Sequence, residues 1–354
     1  MKSFIQVFCF KSEWIINYGR SQQINKISLT MNIRPRRNRK SSAIRNMLEE
    51  TKLGTEHLIY PMFVKDGQNI KEEIPSLPNN FRLSVDHLLK EIDVCLSLGI
   101  NTFVLFPAVD ESLKDKTGSY SWSQDNFYLK AILRIKEAFP EIVLMSDVAL
   151  DPYSSDGHDG YYQNGKILND ETLPLLDKMA VAQAQAGIDI IGPSDMMDGR
   201  VGSIRKALDE NGFYEVSIMS YTAKYASAFY GPFRNALNSA PKSGDKKTYQ
   251  MNPANKKEAL REAMLDVNEG ADMVMVKPAI CYLDVIHLLK ENVTIPVTAY
   301  NVSGEYAMIY AAAKAGYIDY SLAMAEMLLS IRRAGADAIL TYFAKDYAMY
   351  VNNQ

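Results

Sequence analysis

At 354 residues and 47% hydrophobic content, the chain is long enough for one large domain or two small ones and apolar enough to bury a core unaided. A net charge of −3 and a pI near 5.9 give no general electrostatic pull toward nucleic acid or an anionic membrane, and no run of eighteen apolar residues exists to form a spanning helix. Cys9, Cys95 and Cys281 are odd in number and widely separated, which fits a reducing compartment and argues against a thiolate zinc cage.

Residues 1 to about 40 stand apart in composition. Lys and Arg recur there against the single acid Glu13, the basic, acid-poor bias of organelle-targeting peptides. Met31 opens a sensible shorter protein, so residues 1–33 read first as an upstream or disordered extension and second as a targeting peptide. The cytoplasm is the expected compartment and an organelle the alternative. The apolar stretch 4–10 is too short, and too interrupted by Gln6, for a secretory signal. Residues 34–50 begin with Arg34-Pro35-Arg36-Arg37-Asn38-Arg39-Lys40. With no aromatic residues interleaved and an acidic body behind it, this stretch is expected to be an arm that docks on a partner subunit rather than on nucleic acid.

From residue 51 to the end a rhythm repeats. Apolar runs at 58–64, 102–107, 142–149, 188–193, 216–221, 271–278, 295–299 and 336–343 alternate with helical patterns at 85–98, 127–139, 173–186, 255–269, 282–291, 304–315 and 320–333. Near-continuous apolar strands separated by helices predict a parallel sheet covered by helices, and eight of them predict an α/β fold closed as a (β/α)8 TIM barrel. The recurring Ala186-Gly187-Ile188-Asp189, Glu269-Gly270-Ala271-Asp272 and Ala334-Gly335-Ala336-Asp337 supply left-handed glycine caps where helices turn into strands.

Barrel enzymes carry their chemistry at the C-terminal ends of the strands. Those ends here hold Asp147, Ser194, Asp195, Lys224, Lys277, Asn301, Ser303 and Tyr342. Lys277 closes the run Met273-Val274-Met275-Val276, before Pro278, and an amine in such apolar surroundings loses hydration and becomes a nucleophile toward carbonyls. Lys224 lies just past another run. Two facing ammonium groups would depress the pKa of at least one of them further. The pattern predicts a two-lysine carbonyl site.

Five stretches taken together resemble the porphobilinogen synthase family, also called 5-aminolevulinate dehydratase. They are Gly192-Pro193-Ser194-Asp195-Met196-Met197-Asp198-Gly199-Arg200, Ser220-Tyr221-Thr222-Ala223-Lys224-Tyr225-Ala226-Ser227, Phe229-Tyr230-Gly231-Pro232-Phe233-Arg234, Met275-Val276-Lys277-Pro278 and Val302-Ser303-Gly304-Glu305-Tyr306. The resemblance spans residue 34 to the end and implies condensation of two 5-aminolevulinate molecules to porphobilinogen with loss of two waters. It implies a Schiff base on Lys277 with the first substrate and on Lys224 with the second. Ser303 and Tyr342 would hold the first carboxylate, and Arg234, Lys246 and Gln250, in a long polar connection read as a lid, the second. Lys246 stands where some relatives carry arginine, a bidentate fork. Asp147 is expected to move protons or to hydrogen-bond Lys224.

Zinc-dependent relatives place three cysteines where this chain has Ala149, Asp151 and Asp159, so no catalytic zinc is expected. The two carboxylates suit weak Mg2+ binding or a purely electrostatic role beside the lysines. The resemblance further implies an allosteric Mg2+ at Glu262 and a homo-octamer. Two other readings compete: a class I aldolase-type barrel, which needs one imine lysine and leaves Lys224 a bystander, and an inert barrel that acts through its basic arm.

Overall fold

Each of the eight apolar runs forms a strand in the computed structural model, which describes residues 33–237 and 239–353 and the backbone of three short antiparallel strands ahead of them (Gln6–Phe10, Glu13–Asn17, Lys26–Ile27). The expected 1–33 extension therefore lies outside the described residues except for those strands and Ile33. The chain divides between Glu50 and Thr51. In the first unit a short 3-10 helix, Pro35–Arg39, precedes the helix Ser42–Met47, whose N-terminus is capped by the Ser41 hydroxyl accepting from Ile44 N. Ile33 and Met47 are exposed there.

The second unit is the barrel. Its strands are β1 Leu58–Lys65, β2 Thr102–Ala108, β3 Val143–Met145, β4 Ile190–Ile191, β5 Ser217–Lys224, β6 Met273–Lys277, β7 Val297–Asn301 and β8 Ala338–Thr341. Successive strands pair in parallel, and β8 closes on β1 with Ile339 opposite Leu58 and Leu340 opposite Ile59. Leu58 to Val64 are buried throughout, because one face of β1 fills the barrel and the other lies under helices. A wing of two short antiparallel strands, Lys71–Glu73 and Phe81–Leu83, extends the sheet beyond β1.

All seven expected helices form, at Val85–Ser97, Phe127–Ala138, Asn169–Gln185, Lys257–Asn268, Leu283–Asn292, Ser303–Lys314 and Tyr320–Ala334. Others were not anticipated. Arg200–Glu210 starts directly after the left-handed Gly199 and carries a second glycine, which blurs its periodicity, and Ala344–Asn352 follows β8 after the two turn residues Tyr342 and Phe343. No helix among the described residues is long and apolar enough to cross a membrane.

The Gly-x-Asp repeats do more than end helices. Gly187, Gly270 and Gly335 take positive φ of 98°, 103° and 121°, conformations that favour glycine. Two residues on, each aspartate clasps the strand before its own. Leu144 N donates to Asp189 Oδ2 at 2.7 Å, Ile218 N to Asp272 Oδ2 at 2.8 Å and Val297 N to Asp337 Oδ2 at 2.9 Å. The aspartate N–H groups donate back to the carbonyls of Leu144, Ile218 and Val297. The result is a two-point key at the base of three strand pairs, β3 with β4, β5 with β6, and β7 with β8.

Candidate active site

The two lysines meet as register partners. Lys224 at the end of β5 stands opposite Lys277 at the end of β6, so both amines open at the C-terminal mouth of the barrel. Their surroundings differ. Lys277 Nζ lies 4.5 Å from the ring centre of Tyr300, 5.0 Å from those of Tyr221 and Phe233 and 5.4 Å from that of Tyr230. Burial pushes its pKa down to about 7, and the nearby Lys224 charge adds to the fall against the opposing pull of Asp147, Asp151 and Asp159. The aromatic faces favour a cation, but the loss of water outweighs them.

Lys224 is held by polar groups. Its ammonium donates to Asp159 Oδ2 at 2.8 Å and to the Ser194 carbonyl. Asp159 is fully buried, and its other oxygen takes the Lys246 ammonium, which also reaches Asp151 at 3.2 Å. Burial disfavours the Asp159 carboxylate, yet the two lysines hold its pKa well below the usual range. Burial likewise opposes the Lys246 charge, and Asp151 and Asp159 more than offset it. The expected hydrogen bond between Asp147 and Lys224 is absent: the ammonium donates to Asp159 and to the Ser194 carbonyl instead. Asp147 instead sits in a buried setting that raises its pKa to about 7, through burial and then the Asp151 charge, with Lys277 and Lys224 pulling the other way. Asp147 and Lys277 feel each other's charge, and a carboxyl and an amine whose pKa values both lie near 7 can exchange a proton at little cost.

The hydroxyls expected to hold a carboxylate sit one residue behind the Lys277 cage. Tyr342 and Tyr300 share a hydrogen bond at 2.8 Å, and Ser303 Oγ accepts from Phe233 N at 3.0 Å. Arg234 lies over the Tyr230 ring at 5.8 Å. Gln250 is buried with Oε1 unpartnered. The connection that carries Arg234, Lys246 and Gln250 contains the short helix Gly231–Leu237 and is pinned by His158, whose Nε2 pairs with the Ser243 carbonyl at 2.9 Å. Glu262 stands apart, half-buried on the helix Lys257–Asn268. The cage residues Tyr221, Tyr230, Phe233 and Tyr300 were not read from sequence, although the first three lie inside stretches quoted for other residues.

Residues 32–350 match the family model described as delta-aminolevulinic acid dehydratase. The chain belongs to that family. The Chlamydia pneumoniae delta-aminolevulinic acid dehydratase is 54% identical over 317 residues, 90% of this chain and 96% of that protein. The chloroplastic one of Physcomitrium patens is 56% identical over 325 residues, 91% of this chain and 75% of its own length. The crystal structure of the Toxoplasma gondii ME49 dehydratase, in complex with the reaction product porphobilinogen, superposes with a TM-score of 0.90 at 51% identity, covering 92% of this chain and 94% of that one. Membership makes this dehydratase-family chain a lyase of porphyrin biosynthesis and sets aside the aldolase and inert-barrel readings.

Proposed function

We infer that the chain condenses two molecules of 5-aminolevulinate to porphobilinogen, with loss of two waters, through imines on Lys277 and Lys224. The observation that carries this is the pairing of two amines across one strand register, one among aromatic rings and one among carboxylates. Neutral Lys277 adds to the ketone of the first substrate, and Asp147 gives a proton to the departing hydroxyl as water leaves. Ser303 and Tyr342 hold that substrate's carboxylate. Lys224 forms the imine with the second substrate, whose carboxylate goes to Arg234, Lys246 and Gln250. For this Lys246 must leave Asp151 and Asp159, so substrate entry repositions the lid. A C–C and a C–N bond join the substrates, and both lysine amines are released.

Glu262 is our candidate for an allosteric Mg2+. Burial raises its carboxyl pKa, and Asp266, Asp198 and Glu258 add to that against Arg200. A hydrated divalent ion with oxygen ligands would relieve this crowding, and its charge would act through Glu262 rather than on a reacting atom. Asp151 and Asp159 act as counter-charges to the lysines, and no catalytic zinc is invoked. The assembly we propose is a homo-octamer in the cytoplasm, its arms at residues 34–50 docked on neighbours. Light scattering with and without Mg2+ tests the assembly, and a particle size far below eight subunits in both conditions would refute it.

Borohydride reduction in the presence of 5-aminolevulinate, followed by peptide mass mapping, tests the chemistry. A substrate adduct on Lys277 is expected. Absence of adducts on both lysines in folded protein would overturn the reading.

A further inference from the structure

Strand β5 carries one residue more than its partner matches. Ser220 stands opposite Val274 and Ala223 opposite Val276, so Tyr221 and Thr222 together face Met275 alone. In a regular strand Ser220, Thr222 and Lys224 would share one side. Ser220 and Thr222 do: both hydroxyls donate to Asp266 Oδ2 at 2.7 Å, on the helix Lys257–Asn268 outside the barrel. Lys224 does not. Its ammonium goes to Asp159 and the Ser194 carbonyl at the mouth, level with Lys277. The extra residue inverts the strand between Thr222 and Lys224.

The two hydroxyls that fix the outer side are themselves gripped. Arg200, on the helix Arg200–Glu210, donates to Asp266 Oδ1 at 2.6 Å and Oδ2 at 3.1 Å, and to Ser220 Oγ at 2.9 Å. Arg200 is 3% exposed and Asp266 1%. A buried ion pair is a poor source of stability compared with apolar packing, and its best-attested use is to fix register. Here it meets the strand at the one place where register changes. If the bulge moved or flattened, Ala223 would take the inward position and Lys224 would turn toward the helices.

We propose that Arg200, Asp266, Ser220 and Thr222 form a positioning clamp that holds the β5 bulge and thereby aims Lys224 at the second substrate. None of the four touches a reacting atom. The clamp rests on the two-imine reading above, and its test separates the two.

The full-length protein is trapped with 5-aminolevulinate and borohydride, and adducts on Lys224 and Lys277 are quantified separately for the parent, Thr222→Val, Thr222→Ser and Ser220→Ala. Folding is checked by circular dichroism. Thr222→Val keeps the shape and deletes the hydroxyl, so the Lys224 adduct should fall about tenfold relative to that on Lys277. Thr222→Ser, which restores the hydroxyl, should recover the parental ratio, and the loss in Thr222→Val should appear as a raised KM for 5-aminolevulinate. A parental ratio in both folded Thr222→Val and Ser220→Ala overturns the clamp. So does unfolding of both, which would make the cluster a stabilising core element. No adduct on either lysine of the parent removes the two-imine reading, and the clamp falls with it.

Discussion

Lys277 and Lys224 face each other across one strand register, yet the barrel treats them as different groups. Lys277 looks onto Tyr221, Phe233, Tyr230 and Tyr300, and water exclusion brings its pKa to about 7. Lys224 looks onto Asp159 and a carbonyl. An amine caged by aromatic rings and an amine held by a carboxylate and a carbonyl thus come from the same residue type a strand apart. The difference supports an order of events: the amine whose pKa is brought down to about 7 reacts first, and the other must first give up its counter-ion. The contrast also shows which force decides. At Lys277 burial is the leading cause of the shift and the neighbouring ammonium only the second.

The comparison can be broken most directly at the lysines. Lys277→Met should lower turnover by more than about 10⁴-fold, since no other group supplies the first imine. Lys224→Met should be similarly inactive but keep the Lys277 adduct, and equal loss of that adduct would show that the two amines do not act separately. Asp147→Asn follows, with an expected loss of about 10²–10⁴-fold in kcat and little change in KM. The pH dependence sharpens the contrast further. Trapping at Lys277 should be slow below pH 7, where the ammonium dominates, and rise through about 7 as the neutral amine forms. In Lys224→Met that midpoint should move upward, because a repelling charge is gone. The smallest change is expected from Lys246→Arg, a few-fold effect on the KM for 5-aminolevulinate with little change in kcat, because the cation is kept and a fork replaces a point charge.

Much of this was legible in the residues. The strands announced themselves because both faces of each are buried, which yields apolar runs that no exposed helix produces. The Lys277 site was legible for the same reason, as a charge at the end of such a run. What stayed hidden depends on distance along the chain. Asp159 meets Lys224 across 65 residues and Lys246 across 87, and no local pattern encodes either contact. Hence Asp147 was offered as a partner of Lys224, a place that Asp159 takes. The helix Arg200–Glu210 is masked in the sequence because its first residue closes a stretch read for its polar motif and its first turn holds Gly202.

The key between Asp272 and Ile218 sits beneath the two strands that carry the amines. From that fixed point Lys224 lies six residues along β5 and Lys277 five along β6, and the longer count contains the bulge. With a rise of about 3.3 Å per residue, inserting or deleting one residue in either count would move an amine by nearly the whole reach of a near-attack contact. Descendants of this sequence can therefore lengthen or trim the loops around the mouth, whereas the stretches 218–224 and 272–277 cannot change in number.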